Sequence, residues 1–273
     1  MVTGGAVRLT GSGLGCPTWP KCTDDSFVNV PEMGIHGVIE FANRLLTFVL
    51  AIIALLTFIA IRRTVRESRL GLTWPALVLG LGIIAQAVLG GITVLAGLNP
   101  WIVGAHFLVS GVLIAVASLL LWRVYKPRHQ PVSPAVFGLA WPIAIVGTVS
   151  IIFGVIVTGA GPHAGDAATP RNGLDLEIWQ HYHSYPGYIM LALVVLAAAL
   201  LLKDDVAKGF RLWRVQTKIM VLLLAVTVLQ ALIGVIQARL GVPPLLVGLH
   251  MLGAAVLCSL LTFQWLSIRA KTR

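Results

Sequence analysis

Seven stretches of the chain stay apolar for roughly twenty residues or more, and polar residues collect in the gaps between them. They cover approximately 36–61, 74–97, 101–122, 136–160, 184–202, 216–238 and 245–267. A hydrocarbon core of about 30 Å takes about 20 helical residues to cross. A helix also satisfies its own backbone in lipid, so each stretch predicts a transmembrane helix. The expected fold class is all-α, a polytopic membrane protein. Residues 1–35 hold no apolar segment of the kind that marks a cleavable signal.

The pattern repeats. Residues 86–106 (QAVLGGITVLAGLNPWIVGAH) match 230–250 (QALIGVIQARLGVPPLLVGLH) at an offset of 144, with nine of 21 positions identical. Among the identical positions are His106 and His250. An imidazole in an apolar helix is costly and marks a functional site by default; a duplicated one implies two equivalent sites. The similarity extends to Val2-Thr3-Gly4-Gly5 against Val157-Thr158-Gly159-Ala160, which closes the stretch 136–160. The opening MVTGGAVRLTGSG therefore reads as the tail of a spanning helix whose body is absent. The expected architecture is a parallel 4+4 repeat. Its first-half bundle spans 1–125 without the N-terminal helix, and its second-half bundle spans 136–273. A seven-helix protein with an external N-terminus is the alternative.

Composition agrees, with 58% hydrophobic and only 11% charged residues, where a soluble domain carries about 25% charge. A net charge of +10 raises the question of nucleic acid, but the placement of the charges argues against that partner. Fifteen of the 20 Lys/Arg fall in alternate loops and the C-terminal tail; the exceptions are Arg8, Lys21, Arg44, Arg171 and Arg239. By the positive-inside rule the basic loops and the C-terminus are cytoplasmic. The segment 1–35, the loop 161–183 and the turns 97–100 and 240–244 then lie outside a cell membrane. The candidate histidines gather near that outer face.

Cys16 and Cys22 enclose CPTWPKC on the outer side, where oxidation is permitted. A structural or switchable disulfide is expected, two free thiols being the other reading. Cys258, mid-membrane, reads as a small apolar filler. His36, Glu40 and Asn43 fall at i, i+4 and i+7 on one helical face. Glu40 has Arg44 at i+4. The pair is either a lock that fixes the helix, or an acid/base carboxylate beside a haem with Arg44 meeting a propionate.

His106 and His250 head the helices that follow the tight outer turns, while His36 and the His181/His183 pair head those that precede them. Two candidate ligands per half at similar depth suit bis-imidazole haem ligation. His181 and His183 face opposite ways on a helix, and His183, with Gly187 at i+4, is preferred. A helix start near Pro186 would weaken that choice. Gln86 and Gln230 read as interhelical hydrogen-bond glue. His129 reads as solvated, and His163 is unassigned.

The segment VRLTGSGLGCPTWPKC (7–22) followed by IHGVIEFANRLLT (35–47), with the two Gly…Pro…His helices, closely resembles the haem A synthase family. The resemblance covers the whole chain except the absent first helix. It implies eight helices in two four-helix bundles, with substrate haem O in the first half and a haem b (iron) cofactor in the second. By position, Glu40 matches the family's catalytic carboxylate and Arg44 its arginine. His106 matches the second ligand of the first half, and His183 and His250 those of the second. Asn43 stands where many members have a histidine; His36, two turns away on the same face, is the nearest substitute.

The resemblance implies an oxidoreductase acting on a CH group, which turns the C8 methyl of haem O into a formyl group by successive hydroxylations and loss of water. It implies as partners a haem O synthase (protohaem farnesyltransferase), an unidentified electron donor and cytochrome oxidase assembly; a homo-oligomer is left open. A dihaem b-type quinol oxidoreductase would also pair histidines but does not explain Glu40 or the CPTWPKC loop. A transporter would place its polar groups at the midplane.

Overall fold

The computed structural model describes residues 1–63, 66–125, 127, 130–209 and 214–269, with the backbone alone for 66–70. Of the fifteen Lys/Arg in the alternate loops and tail, Lys126, Arg128, Arg211, Lys271 and Arg273 lie outside the described residues, as does His129. The described residues form eight α-helices and one 3₁₀ turn (Pro31–Met33), with no strand. The helices are α1 (Val2–Leu9), α2 (Gly34–Arg62), α3 (Arg66–Leu95), α4 (Pro100–Tyr125), α5 (Pro134–Ala160), α6 (Leu176–Ala207), α7 (Val215–Arg239) and α8 (Pro244–Arg269). Helices α2 to α8 contain the seven spans long and apolar enough to cross a membrane, so the chain is a multi-pass helical membrane protein. Large apolar side chains such as Phe48, Ile52 and Leu55 of α2 are exposed, as a hydrocarbon solvent favours.

Three helices, α4, α5 and α8, begin on a proline, which fits the first turn because its missing N–H has no helical partner there. One expected boundary is corrected. α6 starts at Leu176, not near Pro186, and both His181 and His183 lie inside it. Asp175 Oδ1 accepts the Ile178 N–H at 2.8 Å and caps the helix early. The proline is tolerated within the span. The start of α3 likewise lies upstream of the expected 74, with Pro75 inside the helix.

The chain divides into two compact units, Met1–Ala117 with Val155–Trp179, and Ser118–Gly154 with Gln180–Arg273. In the first, α2 packs on α1 and α3. In the second, α5 to α8 enclose a core that includes Val136, Ile143, Met190, Leu201, Met220 and Leu223. Near its basic end Arg214 pairs with Asp205, and Arg214 Nη1 donates to the Pro131 carbonyl at 3.0 Å.

Each unit contains the same turn. Gly97 and Leu98 have φ of 58° and 57°, and Gly241 and Val242 have 72° and 62°. The Leu98 N–H reaches the Thr93 carbonyl at 2.8 Å, and the Val242 N–H reaches the Gln237 carbonyl at 2.7 Å. These are glycine-initiated helix ends that return a bond to the last turn. Each sets the next helix, and its histidine, against the one before.

Candidate functional site

In the first unit a Cys16–Cys22 disulfide closes the CPTWPKC loop. Glu40, almost wholly buried in α2, accepts the Cys16 N–H on Oε2 at 2.5 Å. Its Oε1 accepts Arg44 Nη2 at 2.6 Å and Nε at 3.2 Å. Arg44 also donates to the carbonyls of Cys16 (2.9 Å), Thr18 (3.0 Å) and Lys21 (3.0 Å). The loop's Trp19 lies against Gly91 of α3, where an added Cβ would clash with the indole ring. The disulfide loop is thus bound to α2 by charge-assisted hydrogen bonds and seated on α3 by an indole.

His36 is exposed, and its Nδ1 lies 2.9 Å from the Ser12 hydroxyl. Asn43 is half-buried farther along α2. His106 faces Gly90 of α3, where a Cβ would stand 3.4 Å from its Cε1. Its Nδ1 is enclosed without a hydrogen-bond partner. Gln86 Nε2 donates to the His106 carbonyl at 2.9 Å and the Ser110 hydroxyl at 2.8 Å, binding α3 to α4 beside the ring.

The second unit repeats this cradle and completes it. His250 faces Gly234, with 3.5 Å from a Cβ to Cε1, and its Nδ1 is enclosed without a partner. His183 faces Gly154 of α5 at 3.0 Å, whereas Gly187 borders open space. Nδ1 of His183 lies 3.0 Å from the Ser150 carbonyl. A carbonyl only accepts, so Nδ1 carries the proton and Nε2 keeps its lone pair, the arrangement that orients metal-bound histidines. The two rings stand 6.1 Å apart between centroids with planes at 87°. His181 is exposed and, two residues from His183 in α6, lies on the other side of the helix.

These residues fit a haem. Two imidazole nitrogens each about 2.0–2.1 Å from one metal place their ring centroids roughly 6 Å apart, which matches the spacing of His183 and His250. Among the described residues no cluster of three or more His, Cys, Asp or Glu could hold a bare ion. His183 and His250 would hold a haem through their imidazole nitrogens, and the haem would supply the remaining ligands of the iron itself. Ser150, Gly154 and Trp19 were not singled out from sequence; Gly90 and Gly234 were visible there as identical positions of the repeat.

Fold and site together define a multi-pass helical membrane protein with half-buried histidines, two of them, His106 and His250, following a duplicated turn. A family model described as cytochrome oxidase assembly protein (COX15-CtaA) matches residues 1–262. The heme A synthase of Listeria welshimeri is 28% identical over 279 residues, covering 96% of this chain and 89% of that protein. The heme A synthase of Bacillus pumilus is 30% identical over 168 residues, 59% of this chain and about half of that protein, at 52%. The chain belongs to the cytochrome oxidase assembly protein family.

Proposed function

We propose that the protein is a haem A synthase. It oxidises the C8 methyl of haem O to a formyl group by successive hydroxylations, followed by loss of water from the gem-diol. Each hydroxylation takes one oxygen atom from dioxygen as external oxidant, while two electrons and two protons carry the other to water. The observation that carries the reading is the His183–His250 pair, whose ring centroids lie 6.1 Å apart, with the His183 proton held by the Ser150 carbonyl. The relatives named heme A synthase support it.

In this reading His183 and His250 hold haem b, which supplies one-electron transfer when bound. His106 ligates haem O in the first unit, with His36 and Asn43 on the α2 side. Glu40 moves a proton at the substrate's edge, and Arg44 fixes its orientation. The basic loops and C-terminus face the cytoplasm and the haem sites the outer side of the cell membrane. A haem O synthase supplies the substrate, a separate donor supplies electrons, and the product serves cytochrome oxidase.

Co-expression with a haem O synthase, followed by pigment extraction, tests the reading. Haem b together with haem O or haem A is expected. Haem b alone would make the protein a dihaem b-type electron carrier, and absence of any haem would reject both.

A further inference from the structure

A small cavity opens at the start of α4, lined by Arg8, Leu98, Pro100, Val103, Gly159 and Thr169 among others. Its volume of about 10 Å³ admits one water-sized group. Three features converge on it. Pro100 begins a 26-residue helix, so the positive end of the helix dipole points there. Thr169 is only 7% exposed, and its Oγ1 is enclosed with no partner. Arg8 donates to the carbonyls of His163 and Thr158, both neutral acceptors. Arg171 lies near enough to repel it, and among the described residues no carboxylate lines the cavity.

A cation, a helix N-terminus and an unpaired hydroxyl around one oxygen-sized space are complementary to an anion. We infer that this is a carboxylate-binding site, and that it receives a carboxylate of the tetrapyrrole seated at His106. This step rests on the proposed function. Pro100 and His106 lie on the same helix, six residues and about 9 Å apart along its axis. A tetrapyrrole ligated at His106 keeps its apolar body in the span and sends its carboxylates toward the polar end. Arg8 is the cation waiting there, and one carboxylate oxygen fills the space beside Thr169.

The test titrates haem O and its dimethyl ester, which lacks the carboxylate charge, into the purified full chain, and counts haem b per chain by extraction. Wild type should bind haem O about tenfold more tightly than the ester, as a charge-assisted hydrogen bond implies. Arg8→Gln should erase that preference by weakening haem O alone, and Thr169→Val should erase part of it. Haem O affinity in Arg8→Gln within about twofold of wild type, well below the tenfold step of a lost charged contact, overturns the site. If Arg8→Gln also loses ester binding and haem b, its fold has suffered and Thr169→Val decides: an unchanged preference rejects the proposal. Acetate that stabilises wild type but not Arg8→Gln, without competing with haem O, assigns the site to a free anion and overturns the tetrapyrrole carboxylate. Ester binding reports on the His106 site independently. A wild type that keeps haem b but binds neither compound rejects the substrate reading of the first unit, and this proposal with it; ester binding without a preference for haem O rejects the carboxylate site alone.

Discussion

Glu40 accepts the backbone N–H of Cys16 at 2.5 Å, so a side chain of α2 and the disulfide loop share a hydrogen bond at the edge of an apolar span. Arg44, one turn on, bonds both Glu40 and the Cys16 carbonyl. Each charge compensates the other, and removing either strands its partner in a poorly solvated place. Anchoring therefore accounts for the geometry of Glu40 without chemistry. The anchoring and proton-transfer roles diverge for an amide of the same shape.

Glu40→Gln keeps one oxygen, which can accept from Arg44 or from Cys16 but not from both as the two carboxylate oxygens do, and it cannot carry a proton away. If Glu40 handles a substrate proton, formyl product should fall by about a hundredfold or more, with haem b content unchanged. Pigment extraction after co-expression with a haem O synthase measures both. Near-normal product would leave Glu40 an anchor for the loop.

Replacing His183 or His250 with Ala removes one of two facing imidazoles, and each variant should lose the six-coordinate low-spin spectrum of haem b. His181→Ala should retain it, because that side chain is exposed. Reduced-minus-oxidised spectra of the purified variants decide. A low-spin spectrum in both the His183 and His250 variants would remove the pair as ligands.

The seven spans were legible because run length alone separates a membrane helix from other structure. Their ends were less so. Pro186 suggested a start that Asp175 overrides, since a cap acts locally and a proline within a span is tolerated. The special status of His106 and His250 was legible through the repeat, which carried Gly90 and Gly234 with them. The left-handed backbone of Leu98 and Val242 was not, because neither is a glycine and the turn imposes the conformation. The orientation of His183 depends on the Ser150 carbonyl, and Arg44 spends three contacts on carbonyls. Backbone acceptors exist at every residue, so no side-chain pattern announces them.

The glycines that face the rings should differ in tolerance. A Cβ at Gly154 would meet His183 Cε1 at 3.0 Å, closer than side-chain carbons normally approach, whereas one at Gly234 would meet His250 Cε1 at 3.5 Å. Gly154→Ala should displace the ring from Ser150 and weaken haem b binding by roughly tenfold, the lower end for lost outer-shell support. Gly234→Ala should bind haem b nearly as wild type does. Titration of haem into the apoprotein ranks them, and equal losses would show that the glycines serve helix packing rather than the rings.

Arg214 and Asp205 form a pair whose side chains are 1% and 2% exposed. The guanidinium also holds the Pro131 carbonyl, and the neighbouring Gln216 holds that of Gln130 at 2.9 Å. The segment ahead of α5 is thereby tied to the α6–α7 connection. Arg214→Ala leaves Asp205 buried without its main counter-charge, and breaking such a pair costs about 3–5 kcal/mol. Asp204, 3.8 Å from Arg214, retains part of the attraction in Asp205→Asn, which should therefore cost less. The double variant Arg214→Met with Asp205→Leu removes both charges and should recover much of the loss, since an apolar replacement of a buried pair is often neutral. Thermal unfolding in detergent, followed by haem b absorbance, gives the ranking. Haem content per folded chain should stay constant through the series, because the pair lies far along α6 from His183. A single variant as stable as wild type would mean that solvent or lipid headgroups screen the pair despite its burial.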